Sequence, residues 1–337
     1  MLEIPSGSTF NLGFITDIHY DEGRGRKFAP QMLNNIQDIL HYDAVLDAIV
    51  FGGDNIDGFQ LNKATNVQHL KTFIAKATFP GHSDRWLLNG NHDDGSLRTK
   101  DYNWHLPLKE IITRNEFKQL FNTITYSYGE QRDGDSLYFF KDYPTKHVRL
   151  IGVDTSDINE ATDANSNLLH YRQWEIALQQ QQLRWIANVA LQNVPKNYHV
   201  IFISHAPLDP QPVVFPDHTE IHPNHDLMIQ IINSFIDGKL CHVSGNVPDY
   251  QVSFDADFRQ QGPRFVAGWI CGHTHQNADQ MQGKLRVIHC RNSVYESAEE
   301  IGTADENSFA LINLDTVDHQ LAVHTIGRGR TIRYFNY

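Results

Sequence analysis

Five short motifs containing aspartate, histidine and asparagine are spread along the 337-residue chain. In chain order they are Asp17-Ile18-His19, Gly53-Asp54 with Asp57 beyond it, Gly90-Asn91-His92-Asp93, Ser204-His205-Ala206-Pro207 and Gly272-His273-Thr274-His275. Carboxylate oxygens, imidazole nitrogens and an amide oxygen form a hard-to-borderline ligand set, which suits manganese, iron or zinc and is poorly matched to copper(I). Metal ions held in this way can activate water for hydrolysis. The motifs therefore indicate a metal site.

Each motif has a simpler structural interpretation when it is taken alone. A histidine at a strand end is more often a hydrogen-bonded structural residue than a ligand, and an aspartate after a strand usually caps a turn or a helix. His273 and His275, however, are two residues apart, so on an extended segment their side chains fall on one face and can reach neighbouring metals. Five motifs in one chain favour the metal site over five unrelated structural roles. Most of the histidines outside the motifs, among them His82, His105, His218, His222 and His225, are expected to be surface or loop residues, with substrate contact by His222 or His225 as the less favoured alternative.

The elements that must position these residues are strands. Runs rich in β-branched and aromatic residues come directly before each motif: FNLGFIT, AVLDAIVF, RWLLNG, YHVIFIS and FVAGWIC. Each run delivers polar groups at its carboxyl end, where open α/β sheets place their sites. The sequence therefore predicts that the motifs meet at one end of a sheet.

Helical periodicity separates several of these strands. The stretches PQMLNNIQDILHY, VQHLKTFIAKATF and QWEIALQQQQLRWIANVALQN have apolar residues three and four positions apart. Further strand-like runs from Ser136 onward are SLYFFKDY, HVRLIGVD, LRVIHC, SFALINL and QLAVHTI. We predict an α/β (α+β) fold, a four-layer αββα sandwich of two mixed β-sheets flanked by helices. One catalytic domain would span residues 1–337, with the segments 94–107 and 206–226 as loops over the active site.

The ordered motifs resemble those of the calcineurin-like metallophosphoesterase superfamily, whose pattern is D-x-H, GD, GNH[D/E], H and GHxH. All five blocks match, from Asp17 to His275, and the resemblance in strand pattern continues to the C-terminus. It implies two divalent or trivalent cations, Mn²⁺, Fe²⁺/Fe³⁺ or Zn²⁺, and hydrolysis of a phosphate ester by in-line attack of a metal-bridging hydroxide.

The resemblance also implies a role for each motif residue. Asp17, His19 and His275 would bind the first metal; Asn91, His205 and His273 would bind the second; and Asp54 would bridge the two. His92 would be the catalytic proton donor to the leaving oxygen, held by Asp93. Imidazole titrates near physiological pH, which suits that work. The alternative is that His92 only hydrogen-bonds a phosphate oxygen as a fixed cation.

The motifs of this chain differ from those of two other branches of the superfamily, and the differences argue against the substrates of those branches. Protein serine/threonine phosphatases have GDxVDRG and RGNHE, whereas here Gly58 follows Asp57 and Asn89 precedes GNHD. Purple acid phosphatases have a metal-binding tyrosine at the position of Asp57. What remains is similar to the bacterial or phage-type branch, whose members mostly cleave phosphodiesters. A phosphomonoesterase, a nuclease, and a phage or scaffold protein with a lapsed site remain as alternatives.

The amino-acid composition restricts which binding partners, cysteine sites and cellular locations are expected. A hydrophobic content of 40% supplies a buried core, and a formal net charge of −12 argues against extended nucleic acid binding. The three cysteines form no CxxC pair, so neither a thiolate zinc site nor a disulfide framework is indicated. Without a signal-like N-terminus or an apolar run of membrane-spanning length, the chain is expected to be cytoplasmic. The expected partner is a small-molecule phosphoester.

Overall fold

The motif strands form as the sequence predicts, because each is rich in β-branched, aromatic and other apolar residues. This computed structural model describes residues 9–23, 29–216 and 218–337; residues 1–8, on which the expectation of an unexported chain partly rests, lie outside them. The strands are β1 (Thr9–Ile15), β2 (Ala48–Gly52), β3 (Asp84–Leu88), β4 (Gln131–Arg132), β5 (Phe139–Tyr143), β6 (Val148–Gly152), β7 (His199–Ile203), β8 (Val213–Val214), β9 (Thr219–Glu220), β10 (Leu240–Gly245), β11 (Val252–Asp257), β12 (Phe265–Cys271), β13 (Ala278–Gln282), β14 (Leu285–His289), β15 (Ser308–Asp315), β16 (Gln320–Gly327) and β17 (Thr331–Asn336). The α-helices are α1 (Ala29–Leu40), α2 (Lys63–Ala77), α3 (Arg114–Leu120), α4 (Gln180–Trp185) and α5 (His225–Asp237).

Two large mixed sheets contain all five motif strands. The six-stranded sheet has the order β17-β16-β15-β1-β2-β3, and the seven-stranded sheet has the order β13-β14-β12-β7-β6-β5-β4. Strands β1, β2 and β3 run parallel to one another, and β6, β7, β12 and β14 do the same in the second sheet. Parallel neighbours end at the same edge, so the residues that follow them are brought together.

Three apolar cores separate four layers. Between the sheets, Phe14 and Val50 of the first sheet belong to one core with Ile203 and Ile270 of the second. Helices α1 and α2 cover the outer face of the six-stranded sheet, while α4 and α5 cover that of the seven-stranded sheet. Strands β1 and β7 are buried along their whole length, which explains why they are continuous apolar runs rather than alternating ones. The predicted αββα sandwich is confirmed.

The predicted helix over 173–193 is confirmed only in its second half. Helical structure begins only at Gln180, and residues Ile186–Ala190 continue it as a π-helical turn. Before Gln180 the backbone instead bonds to the segment 219–223: Ile176 N donates to Ile221 O at 3.0 Å and Leu178 N to Pro223 O at 3.2 Å. Ile176, Ala177 and Leu178 are all buried, a pattern that a one-sided surface helix cannot produce. Strand β17 and the hairpin of β10 and β11 were also not predicted.

No helix in the described part of the chain combines the length and the apolar character that a bilayer-spanning segment needs.

Helix α3 begins with a capping box. Thr113 Oγ1 accepts a hydrogen bond from Glu116 N at 3.4 Å, and the Glu116 carboxylate accepts one from Thr113 N at 2.8 Å. Replacing Thr113 with alanine should lower the free energy of unfolding by about 1 kcal/mol, because an N-terminal amide of the helix loses its acceptor. Urea unfolding followed by circular dichroism measures this. Thr125→Ala, at an exposed threonine of the following turn, is the control, and an equal loss in both variants would contradict the capping role.

Candidate metal centre

The structure brings all seven predicted ligand side chains to one edge, where the two sheets meet. Each follows the end of one of the five motif strands; the residues are Asp17, His19, Asp54, Asn91, His205, His273 and His275. Short hydrogen bonds hold these loops together: Asp17 N donates to Gly53 O at 3.0 Å, and Gly272 N donates to His205 O at 2.8 Å. The first bond joins two motifs of one sheet and the second joins two motifs of the other.

Asp17, His19 and His275 form the first group of converging atoms. His275 Nε2 lies 3.3 Å from Asp17 Oδ1 and 3.3 Å from His19 Nε2, and His19 Nε2 lies 3.9 Å from Asp17 Oδ1. The potential ligand atoms of the three residues all lie within 4.8 Å of one another. These are the three side chains that the resemblance assigns to the first metal.

Asn91, His205 and His273 form the second group, beside Asp54. Asn91 Oδ1 lies 2.9 Å from His205 Nε2 and 3.1 Å from His273 Nδ1. Asp54 Oδ2 lies 3.4 Å from His205 Nε2 of this group and 3.6 Å from His19 Nε2 of the first group. Asp54 therefore stands between the two groups, where a bridging ligand has to be.

The hydrogen bonds of the two histidines in the second group determine which nitrogen of each ring is available to a metal. His205 Nδ1 lies 2.9 Å from Gly52 O, so Nδ1 carries a proton, and once Nε2 is deprotonated its lone pair points toward Asn91 Oδ1. His273 Nε2 lies 3.3 Å from a Glu220 carboxylate oxygen, so its Nδ1 likewise turns a lone pair toward Asn91 Oδ1. Three acceptors that converge at hydrogen-bond distance fit a cation between them.

The charges of the site favour the same conclusion. Burial alone would raise the pKa of Asp17 and of Asp54, but the neighbouring imidazoles, above all those of His275 and His205, hold both pKa values below their usual range. Burial would lower the pKa of His205, yet the Asp54 carboxylate outweighs burial and raises it to about 10. Either a proton on His205 or a metal ion would neutralise the excess negative charge of these buried carboxylates.

Backbone strain is concentrated on the ligand positions. Five of the seven ligand residues have positive φ although they are not glycine: Asp17 (53°), His19 (49°), Asp54 (49°), His273 (68°) and His275 (57°). Such conformations cost on the order of 1–3 kcal/mol each, and they persist where the surrounding structure determines them. These turns with positive φ direct the side chains of the ligand residues toward the metal centre.

The glycines of two motifs are required by close approach to ligands. A Cβ atom on Gly90 would lie 2.1 Å from Asp54 Oδ1, and one on Gly272 would lie 2.2 Å from Thr16 Oγ1 and 2.5 Å from Asp17 Oδ2. Either contact is far inside van der Waals distance. The glycines of GNHD and GHTH therefore make room for the carboxylates.

An oxygen acceptor stands behind each of three histidine ligands. Asp57 Oδ1 lies 3.2 Å from His19 Nδ1, Gly52 O accepts from His205, and Glu220 accepts from His273. Such partners fix the ring orientation of metal-binding histidines. Sequence reasoning placed Asp57 beside a motif without giving it a role and missed Glu220 entirely, because Glu220, at the end of the two-residue strand β9, belongs to no motif.

His92 lies at the edge of the centre, with its side chain 20% exposed. Its ring packs edge-on against His19, with the centroids 4.6 Å apart, and its backbone N donates to Asp54 Oδ1 at 2.9 Å. Its Nε2 lies 3.4 Å from Gln173 Nε2. The ring is therefore next to the first group of ligands but can still be reached from the surface.

Asp93 has a different place from the one that the resemblance implied. Its fully buried carboxylate accepts hydrogen bonds from Gly90 N at 2.8 Å, Ile56 N at 2.9 Å and Asn55 Nδ2 at 2.9 Å. Among the described residues, the hydrogen-bond partner on the Nδ1 side of His92 is the Asp57 carbonyl, at 3.1 Å. Burial, together with the charge of Asp54, raises the pKa of Asp93 to about 7. Asp93 braces the loops after β2 and β3 rather than the His92 ring.

Both predicted loop segments border the centre. The segment 94–107 is partly a 3-10 helix, Ser96–Tyr102, and it begins beneath His92, where Gly95 N donates to His92 O at 3.1 Å. The segment 206–226 reaches the second group of ligands through Glu220. Aromatic rings connect the two segments through Trp174, which lies outside both. The Trp174 and His218 centroids are 3.9 Å apart; Trp104 packs against Trp174 and Phe215 against His218, each with about two fifths of its surface exposed.

Comparison with known proteins agrees with this geometry. The sequence model of the family described as calcineurin-like phosphoesterase matches residues 10–277. A dimetal phosphatase from Danio rerio has a similar fold, with a TM-score of 0.60 and 16% identity, over 98% of this chain and 100% of that chain. GAP50, the anchor in the inner membrane complex of Plasmodium, aligns over 98% of this chain and 89% of its own, with 12% identity and a TM-score of 0.46. No curated protein sequence matches significantly. Because the family match covers most of the chain and includes all five motifs, this protein belongs to the calcineurin-like phosphoesterase family.

Proposed function

We propose that this metal-dependent phosphoesterase holds two cations and hydrolyses phosphodiesters in preference to phosphomonoesters. The observation that carries the two-metal proposal is the convergence of two ligand groups on Asp54, which lies 3.4 Å from His205 and 3.6 Å from His19. Two bound cations would acidify water and neutralise the charge that develops on the phosphoryl oxygens. Manganese, iron and zinc suit the carboxylate, amide and imidazole donors.

The chain's own residues would perform the remaining steps. Asp54 positions the two ligand groups relative to each other, and its Oδ1 also holds the backbone of His92 at 2.9 Å. His92, partly exposed beside the first group, would give a proton to the leaving oxygen. Asp93 would keep the loop that bears Asn91 and His92 in place through its three hydrogen bonds.

The preference for diesters is supported by the motif variants. GNHD without a preceding arginine and GHTH are similar to the bacterial or phage-type branch, whose members mostly cleave phosphodiesters. A small-molecule substrate is proposed rather than a long nucleic acid, because the net charge of −12 opposes extended contact with a polyanion. Cleavage of single- or double-stranded DNA in the presence of manganese would contradict that part of the proposal.

A pair of chromogenic esters tests the preference. With Mn²⁺ present, bis-p-nitrophenyl phosphate should be hydrolysed with a higher kcat/KM than p-nitrophenyl phosphate, and a wider panel of glycerophosphodiesters, cyclic nucleotides and nucleotide derivatives should show which diester fits. Comparable rates on the two chromogenic esters would contradict the preference and leave a phosphoesterase of either kind.

The main alternative is a scaffold protein that keeps the fold with a lapsed site. Such proteins typically lose ligands, whereas all seven positions here hold residues able to coordinate a metal and all seven meet at one place. Metal analysis of the purified protein discriminates between the two. Less than one transition-metal ion per chain, together with no hydrolysis after manganese is added, would favour the scaffold.

A further inference from the structure

Glu220 connects a ligand of the second metal group to the loop segment 206–226. Its carboxylate is buried, with 5% of the residue exposed, and one oxygen, Oε1, lies 3.3 Å from His273 Nε2 and 3.0 Å from His222 Nε2. The two imidazoles hold the pKa of Glu220 below its usual range, even though burial would raise it. A buried carboxylate therefore lies between a loop histidine and a metal-site histidine.

The contact with Glu220 determines which nitrogen of His273 faces the metal centre. A carboxylate accepts hydrogen bonds, so His273 Nε2 carries a proton and donates it to Glu220, and in the neutral ring the lone pair then belongs to Nδ1. That nitrogen lies 3.1 Å from Asn91 Oδ1, within the second ligand group. If Glu220 were removed, the ring would be free to take the other tautomer, which presents an N–H at the same point.

Through His222, Glu220 is also connected by hydrogen bonds to Asp209, near the start of the same segment. His222 Nδ1 donates to Asp209 O at 2.8 Å, and Asp209 N donates to Nδ1 of the fully buried His225 at 3.2 Å. Asp209 comes four residues after His205, which is itself a ligand of the second group. A path of hydrogen bonds therefore runs from the ligand His273 through Glu220 and His222 to Asp209. The peptide chain then connects Asp209 to the ligand His205, four residues earlier.

We propose that Glu220 is a positioning residue for His273, and that through His222 it couples binding of the second metal to the packing of residues 206–210 and 218–222. The proposal rests on the proposed two-metal centre. Coupling is reciprocal: a cation that fixes His273 stabilises the Glu220 and His222 contacts, and these contacts in turn raise the affinity for the cation. Residues 206–210 and 218–222 would therefore exchange their amide protons more slowly when the centre is loaded.

Manganese titration of Glu220 variants tests the positioning role. Glu220→Ala should weaken Mn²⁺ binding at the weaker of two sites by about 10- to 100-fold in isothermal titration calorimetry. Glu220→Gln, whose amide oxygen can still accept from His273 Nε2, should recover most of that loss. Asp318→Asn, at an exposed carboxylate in the turn between β15 and β16, is the control and should bind like wild type.

Hydrogen exchange tests the coupling separately from metal affinity. In wild type, Mn²⁺ should slow exchange of the amides in 206–210 and 218–222 by about fivefold or more. His222→Ala leaves the contact between Glu220 and His273, so it should lose this protection and weaken Mn²⁺ binding by about the same fivefold factor, less than Glu220→Ala does. That variant and the wild-type measurement remain informative if Glu220→Ala does not fold.

Two outcomes separate this inference from the proposed function. If wild type binds two Mn²⁺ ions and hydrolyses diesters, but Glu220→Ala binds them equally well and exchange in 206–210 and 218–222 does not respond to Mn²⁺, the inference is wrong and the proposed function stands. If wild type takes up no Mn²⁺ at all, the proposed metal centre fails and the inference fails with it.

Discussion

Asp54→Asn should lower kcat for bis-p-nitrophenyl phosphate by about three orders of magnitude or more, because a bridging charge contributes several kcal/mol to holding and activating two cations on one phosphate. The substitution changes little else. Asp54 Oδ1 accepts a hydrogen bond from His92 N at 2.9 Å, and an asparagine oxygen can accept the same bond. Steady-state kinetics at saturating Mn²⁺, with metal content measured on the same samples, gives the result.

The control for Asp54 is a carboxylate of the same kind far from the centre. Asp318 is exposed in the turn between β15 and β16, at the edge of the sheet where β1 begins, because Thr9 pairs with Asp315. Asp318→Asn should have wild-type kinetics. If Asp54→Asn folded, bound two metals and retained more than about a tenth of wild-type kcat, a bridging role would be contradicted.

His92→Ala should have an effect that depends on the leaving group. For an alkyl phosphodiester, whose departing alkoxide needs a proton, kcat should fall by about 10²- to 10⁴-fold; for a p-nitrophenyl ester, whose leaving group departs as a stable anion, the loss should be much smaller. The expectation follows from the position of the ring, which is 20% exposed and packs 4.6 Å from His19. For wild type and for His92→Ala, log kcat is plotted against the pKa of the leaving group over a series of esters, and the slopes of the two plots are compared.

The competing interpretation of His92 predicts that His92→Ala and wild type have the same slope. If the ring only hydrogen-bonds a phosphate oxygen, all esters lose the same factor and the slope does not change. An unchanged slope, or full activity on the alkyl ester, would therefore exclude the role as a proton donor. His82→Ala, at an exposed histidine outside the motifs, serves as the matched substitution and should leave both rate and slope unaffected.

Much of this site could be predicted from the sequence because its ligands are positioned by local structure. Asp17, Asp54 and Asn91 each follow a buried strand within a few residues, and parallel strands end at a common edge. The residue that follows each strand therefore has little freedom in where it lies. The fold class could be predicted for a similar reason, since the periods of apolar residues in strands and helices differ.

The tertiary structure alone decided which groups support those ligands. Glu220 reaches His273 across 53 positions of sequence, and His92 faces the Asp57 carbonyl rather than Asp93. The segment before Gln180 has a helical pattern of apolar residues, yet it bonds to 219–223 and is extended. In each case the partner is set by how loops pack against one another. Local spacing restricts where a strand's last residue lies, but hydrogen bonds between distant loops form only when the sheets have already brought the loops together.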